Sequence, residues 1–395
     1  MNCPQCGTEV PTTAHYCHAC GRQVGETVGR SRGFAVKPDE KVRSLRLVST
    51  VMPTGAAEGP RRYAIAFGLA VVAVLGCVAA GWLPMALMVA SLAVPLVYII
   101  YLYDVNLWKD APLPVTVLAF VLTAGLSAGF TRWWTSWQAP TDGSMDGAGG
   151  VSPLVSLAIT ALLVPVIGEL LRQIGPLVLA SRPRFDDLID GLTFGIVSGV
   201  AYAAGDTLVR HWGMFEGGLH VPGTGLATWT TLLAMEGFVK PLVIGSATGL
   251  ACAEFSGLGR GHDGFTRRYA VAVTEAIGWN VLYFGGVWAT NEYLGGWPGT
   301  LTALLWGTVL LAVLVLRVRT VLQTALLEAA LEDAARFGLQ DGVGAHGELS
   351  FCPACEMPVL PHAVFCGACG AAMRSTVAGH AESGRSASPA PEVDA

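Results

Sequence analysis

Eight of the ten cysteines stand in two frames of one design. Cys3-Pro-Gln-Cys6 is followed by Cys17-His-Ala-Cys20-Gly21, and Cys352-Pro-Ala-Cys355 by Cys366-Gly-Ala-Cys369-Gly370. Ten residues separate the pairs in each frame, and the two blocks align without a gap from first Cys to final Gly. Two CxxC knuckles bring four thiolates onto one ion, the arrangement of a closed tetrahedral zinc site, and the Gly after the second pair lets the turn take a positive φ. A pair of disulfides is the competing use of the same residues. It is disfavoured because the opening residues do not read as a secretory signal and the charge pattern below places both ends in the cytoplasm, where thiols stay reduced. Two structural zinc ions are therefore expected, on Cys3, Cys6, Cys17 and Cys20 and on Cys352, Cys355, Cys366 and Cys369. A ribbon this small has almost no core, so the metal would supply most of its folding energy. His15, His18 and His362 lie nearby and read as surface residues, because each Cys set is already complete.

The chain between the frames is a different material. Over the whole protein of 395 residues 52% are hydrophobic and 13% charged, against about 25% charged in an ordinary soluble domain; mean hydropathy is +0.52. Cys77 and Cys252 sit alone in apolar runs and read as small buried hydrophobes. Eight apolar stretches, near 63–83, 85–103, 113–130, 153–171, 188–209, 226–253, 270–290 and 300–316, are each about long enough to cross a hydrocarbon core of about 30 Å as a helix. The expected fold class is an all-α polytopic membrane bundle of about eight transmembrane helices with two small zinc-ribbon modules. The expected organisation is a zinc ribbon at 1–21, a flexible basic linker at 22–61, the transmembrane domain at 62–317, an amphipathic helix at 318–340 serving as a stalk or lying on the bilayer, a second ribbon at 350–371, and a disordered tail at 372–395.

Lys/Arg placement orients such a bundle. Nine lie between Arg22 and Arg62. With eight spans and the N-terminus inside, twelve more fall in inner segments, only Arg132 and Arg210 fall outside, and Lys240 lies within a span. The pattern predicts a multi-pass protein of the cell membrane with both termini cytoplasmic. Glycines at helical spacing (Gly125/Gly129, Gly191/Gly195/Gly199, Gly245/Gly249) read as packing seams, and Pro84, Pro95, Pro165, Pro176 and Pro241 as kinks or helix ends.

Charges within spans are costly and mark either a site or an internal pair. Glu169 and Arg172 fall at the inner end of the fourth span, Asp190 opens the fifth, and Asp206 lies near its far end. Glu236 and Lys240 stand one helical turn apart in the sixth, and Glu275 and Asn280 lie in the seventh. Taken singly, a polar site and structural pairing stand open for each.

Their order narrows the choice. Val164-Pro-Val-Ile-Gly-Glu169-Leu-Leu-Arg172, Phe185-Asp-Asp-Leu-Ile-Asp190-Gly191-Leu-Thr-Phe-Gly195 and Ala201-Tyr202-Ala-Ala-Gly-Asp206 resemble the PrsW family of intramembrane proteases, over roughly 154–284. The family pattern runs EExxK, then FDExxDGxVYG, then FxxxE. Gly168 stands for its first Glu and Arg172 for its Lys, while Tyr202 and Asp206 stand for the Phe and Glu of FxxxE. The two membrane histidines the family expects are absent: Lys240-Pro241 is followed by Leu, Val and Ile, and HxxxD falls on Ala276 and Asn280. The resemblance implies a degenerate catalytic set of Glu169, Arg172 and Asp206. Without imidazole, zinc would bind poorly there, and Glu275 or Asn280 as substitutes would give an all-oxygen set suited to a harder ion.

Two functions remain in view. One is a non-catalytic or impaired scaffold that binds a membrane-protein client or a cytoplasmic protein partner. The other is an active intramembrane metallopeptidase with altered ligands. A transporter is disfavoured by the few polar residues and the lack of a convincing inverted repeat. Nucleic acid is not an expected partner, because neither knuckle is dense in basic or aromatic residues; the Arg-rich linker is expected to meet anionic lipid.

Overall fold

The computed structural model describes residues 2–11, 14–24, 62–105, 113–138, 153–181, 188–216, 226–259, 262–340, 350–360 and 363–373. Most of the basic linker, most of the C-terminal tail, His362 and the Phe185-Asp186-Asp187 start of the DG segment lie outside the described residues. The chain divides into two compact units. One comprises Met1–Phe34, Leu258–Arg260 and Thr324–Ala395, the other Ala35–Gly257 and Gly261–Gln323.

The larger unit is helical. Its elements are α1 (Arg62–Ala79), α2 (Leu83–Val105), α3 (Leu113–Gln138), α4 (Pro153–Leu157), a first π-helical turn (Ala158–Leu163), α5 (Val164–Ala180), α6 (Leu188–Arg210), α7 (Trp212–Glu216), α8 (Leu226–Ala234), a second π-helical turn (Met235–Val239), α9 (Lys240–Ser256), α10 (Arg267–Leu294) and the start of α11 (Gly296–Gln340). The apolar stretches read from the sequence fall on helices, except that the first, 63–83, runs past the end of α1 through the turn at 80–82. Five helices are long and apolar enough to cross a membrane: Leu154–Ala180, Leu188–Arg210, Ala227–Ser256, Arg267–Leu294 and Gly296–Leu322. Shorter apolar helices run Ile65–Ala79 and Leu83–Val97.

Two of the prolines do more than kink. Pro165 and Pro241 each stand at the second residue after a π-helical turn. A proline has no N–H to give and its ring crowds the carbonyl four residues back, so the preceding turn widens instead of keeping the α ladder.

The core is the pair α6 and α9, both buried over most of their length. Glycine makes that pairing close. A Cβ at Gly195 would lie 2.6 Å from Gly249 Cα, and one at Gly199 2.5 Å from Gly245 Cα. The seam predicted at Gly191/Gly195/Gly199 and Gly245/Gly249 is therefore present. The one predicted at Gly125/Gly129 is not, because both face open space. It is Gly205 that lets α3 approach, since a Cβ there would meet Ala124 O at 2.4 Å. Outward faces carry exposed Leu69, Leu75, Leu122, Leu162, Val178, Leu282 and Leu305, while Glu169, Arg172, Asp206, Lys240 and Asn280 are buried. Apolar outside and ion pairs inside is the distribution a lipid solvent selects.

In the smaller unit, the C-terminal part of α11 carries Leu327 and Leu331, buried against Cys3, Val10, Ala14 and Cys17. The amphipathic stretch expected at 318–340 thus continues α11, and its apolar side seats the first ribbon. Glu328 accepts a hydrogen bond from Gly259 N at 2.7 Å. The second ribbon holds β1 (Ser350–Phe351) antiparallel to β2 (Pro358–Val359).

Candidate functional site

Each Cys frame folds as two knuckles. In the first ribbon Cys3 N donates to Thr8 O and Gly7 N to Cys3 O; in the second Cys352 N donates to Met357 O and Glu356 N to Cys352 O. The second knuckles repeat this, with Cys17 N to Arg22 O and Cys366 N to Ala371 O. The β-bridges Asn2–Glu9 and Tyr16–Gln23 recur as Phe351–Pro358 and Phe365–Ala372. All eight thiols are free of disulfides. In each frame the four Sγ atoms lie within 4.8 Å of one another. Cys3–Cys20 and Cys6–Cys17 are separated by 3.7 and 3.6 Å, Cys352–Cys369 and Cys355–Cys366 by 3.8 and 3.7 Å. These two clusters can each hold a metal ion. Hydrogen bonding with the Thr8 hydroxyl, then with its backbone, lowers the Cys6 thiol to about 6, toward the thiolate a metal needs. His18 is half-buried rather than on the surface, and burial pushes its imidazole down from its ordinary value.

The ribbons pair with each other through reciprocal contacts. His15 N and Tyr16 N both donate to Gly367 O; Val364 N and Phe365 N, in the equivalent positions, both donate to His18 O, at 2.8–3.0 Å. The Phe365 ring lies over Gly21 and the Tyr16 ring over Gly370, so close that a Cβ on either glycine would fall 2.8–2.9 Å from a ring carbon. This is an internal pseudo-twofold, with equal patches facing one another as in an isologous dimer.

In the larger unit the predicted polar residues fall into two networks. Glu169 is the hub of the first. Its Oε2 accepts from Arg172 Nη2 (2.6 Å), Arg172 Nε (3.2 Å), Thr248 Oγ1 (3.1 Å) and Asn280 Nδ2 (3.2 Å), and its Oε1 from Gln173 Nε2 (2.6 Å). Ser198 Oγ donates to Arg172 O, and the Arg172 guanidinium lies 4.6 Å from the Tyr202 ring centroid. Four helices meet here: α5, α6, α9 and α10. A Cβ at Gly168 would lie 2.8 Å from Tyr202 Oη and 3.1 Å from Arg172 Nη1, so the ring and guanidinium crowd the position where the resembled motif has a carboxylate.

Asp206 belongs to the second network. It accepts from Thr131 Oγ1 (2.7 Å), Arg210 Nε (2.8 and 2.9 Å to its two oxygens) and Lys240 Nζ (2.8 Å). Lys240 also bonds Glu236 Oε2 (2.5 Å) and Thr207 Oγ1 (3.0 Å), and Thr207 donates to the same Glu236 oxygen (2.7 Å). The Glu236–Lys240 pair read from spacing is real but is half of a quartet. Glu169 and Asp206 share no bonding partner. Glu275 joins neither network and pairs with Arg317 at the exposed face, 2.8 Å apart. Asp190, in the first turn of α6, is half-buried. Cys252 is buried as expected, and Cys77 only partly so.

Thr131, Thr207, Thr248, Gln173 and Tyr202's stacking role carried no signal of their own in the sequence. Threonine is ordinary in an apolar helix, and only the helix across from it shows what its hydroxyl meets. No protein-family model matches this chain, and neither do any curated proteins or solved structures.

Proposed function

We propose that this chain is a PrsW-like, eight-span protein of the cell membrane in which the protease centre has become structural. It acts as a scaffold that binds a membrane client, and it displays a paired zinc-ribbon module to a cytoplasmic partner. The observation that carries this reading is the neutralised, buried state of Glu169. Its Oε2 is crowded by donors from Arg172, Thr248 and Asn280, its Oε1 is held by Gln173, and the Arg172 guanidinium balances its charge with both side chains fully buried. A ligand to catalytic metal, or a base to water, works with a carboxylate charge that is not already engaged by a fixed cation. Asp206 is occupied in the same way by Thr131, Arg210 and Lys240. Among the described residues, the groups of three or more His, Cys, Asp or Glu that could hold a metal are the two Cys frames.

Zinc suits those frames. Four sulfurs at a Zn–S distance of about 2.3 Å form a tetrahedron with edges of about 3.8 Å, and the Sγ pairs stand at 3.6–3.8 Å. Both ribbons share their unit with Leu258–Arg260, in the connection between α9 and α10. Independently of that unit, the Lys/Arg count, with nine between Arg22 and Arg62, supports cytoplasmic termini.

The test is proteolysis and metal content on purified protein. Cleavage of a single-pass membrane substrate, abolished by Glu169→Ala, would overturn the scaffold reading in favour of an active peptidase with altered ligands. Two zinc ions per wild-type chain, and none when all eight frame cysteines are replaced by Ser, are the expected result.

A further inference from the structure

The second polar network opens onto a cavity of about 300 Å³. Its lining includes Thr160 from the first π-helical turn, Glu236 from the second, Arg210 at the end of α6, and Tyr283, Trp288 and Glu292 along α10. Both π-helical turns of the chain's described helices thus contribute a wall residue. Such turns forfeit regular helix bonding and concentrate at working sites.

Two lining groups lack a partner within the described residues. Tyr283 is 1% exposed, yet its hydroxyl bonds nothing, and Arg210 Nη2 is likewise buried and unbonded. An unmet buried polar group keeps its desolvation cost uncompensated, so both donors call for an acceptor that the described residues do not supply. The charges beside them already cancel: Asp206 and Glu236 against Arg210 and Lys240. A ligand bearing net charge would leave that charge uncompensated in a low-dielectric wall. A zwitterion would not. Its anionic oxygen suits Arg210 and Tyr283. Its cation suits Glu292 at the exposed rim and Glu236, whose Oε1 lies 4.0 Å from His211 Nε2.

The cavity's level points to the source. Trp288 lines it, and the exposed Tyr293 and Trp297 follow at the same end of α10 and the start of α11. Such aromatic groups mark the membrane–water interface, where lipid head groups lie. Leu162 and Leu282, on the same helices, are exposed apolar surface for acyl chains. The volume is at the low end for ligand pockets, enough for a head group and not for a whole lipid.

We propose that this cavity seats the phosphoethanolamine head group of a zwitterionic glycerophospholipid, with phosphate on Arg210 and Tyr283 and ammonium toward Glu236 and Glu292. This stands independently of the protease-site reading.

The experiment is native mass spectrometry of delipidated full-length protein in detergent, titrated with short-chain phosphatidylethanolamine, with phosphatidylglycerol, and with soluble glycerophosphoethanolamine. A retained phosphatidylethanolamine adduct is expected, at least tenfold tighter than either alternative. Tyr283→Phe should weaken it about tenfold. Glu292→Gln, at an exposed position, should erase the preference over phosphatidylglycerol. Equal binding of the two lipids, or indifference to both substitutions, overturns the proposal. Binding of the soluble head group as tightly as the lipid overturns the lipid assignment.

Discussion

Glu356 occupies the position that Gly7 holds in the other ribbon, and both take positive φ, 60° and 72°. A side chain in that region costs about 1–2 kcal/mol. Glu356→Gly should therefore stabilise the second ribbon by about 1 kcal/mol, read as slower loss of its metal to a chelator. The buried pair Glu169–Arg172 predicts the opposite sign. Removing one member strands the other's charge, so Arg172→Ala should lower stability by about 3–5 kcal/mol, whereas Glu169→Gln with Arg172→Met, which keeps a carbonyl oxygen for Gln173, Thr248 and Asn280, should recover part of it. Thermal unfolding in detergent distinguishes the two. At this scale the sequence was legible where chemistry is local. Cysteine spacing alone locates both clusters that can hold a metal ion, because four thiols within a few turns leave little freedom. The quartet of Asp206, Arg210, Glu236 and Lys240 consists of two i, i+4 pairs, of which only Glu236/Lys240 was read; the joining of the two through Lys240 and Asp206 depends on helix placement that no short-range pattern encodes.

Helix contacts show how far small-residue spacing can be trusted. Gly195 and Gly199 face Gly249 and Gly245 at backbone contact, while Gly125 and Gly129 face open space, although all recur at four-residue intervals. The interval says that a helix could approach, and only the partner decides whether one does. Gly195→Val should accordingly break the α6–α9 seam and abolish folded yield. Gly125→Ala should be neutral or stabilising by up to about 1 kcal/mol through helix propensity. Folded yield of both variants, and the melting temperature of Gly125→Ala against wild type, check this. The π-helical turns were half legible: Pro165 and Pro241 announced irregular helices, but not that the preceding turn would widen or that Thr160 and Glu236 would border one cavity.

Across the molecule, the most consequential arrangement is the reciprocal docking of the two ribbons. Nothing in the sequence beyond their likeness signalled it, because backbone amides meeting backbone carbonyls leave no mark on residue type. If both Cys clusters hold metal, the docking should couple them. Cys366→Ser, which disables the second, should also speed release of metal from the first, followed by chelator kinetics against wild type; unchanged release from the first ribbon would show the two to be independent. Gly370→Val, which drives a side chain into the Tyr16 ring, should do the same with all eight thiols intact. The docking also has a meaning in time. The first ribbon leaves the ribosome before any helix of the bundle, and the residues that meet its Tyr16 and His18 are made only after α11 is complete. Until then its knuckle edge stands bare. The two ribbons can therefore close on each other only once every helix between them has been made.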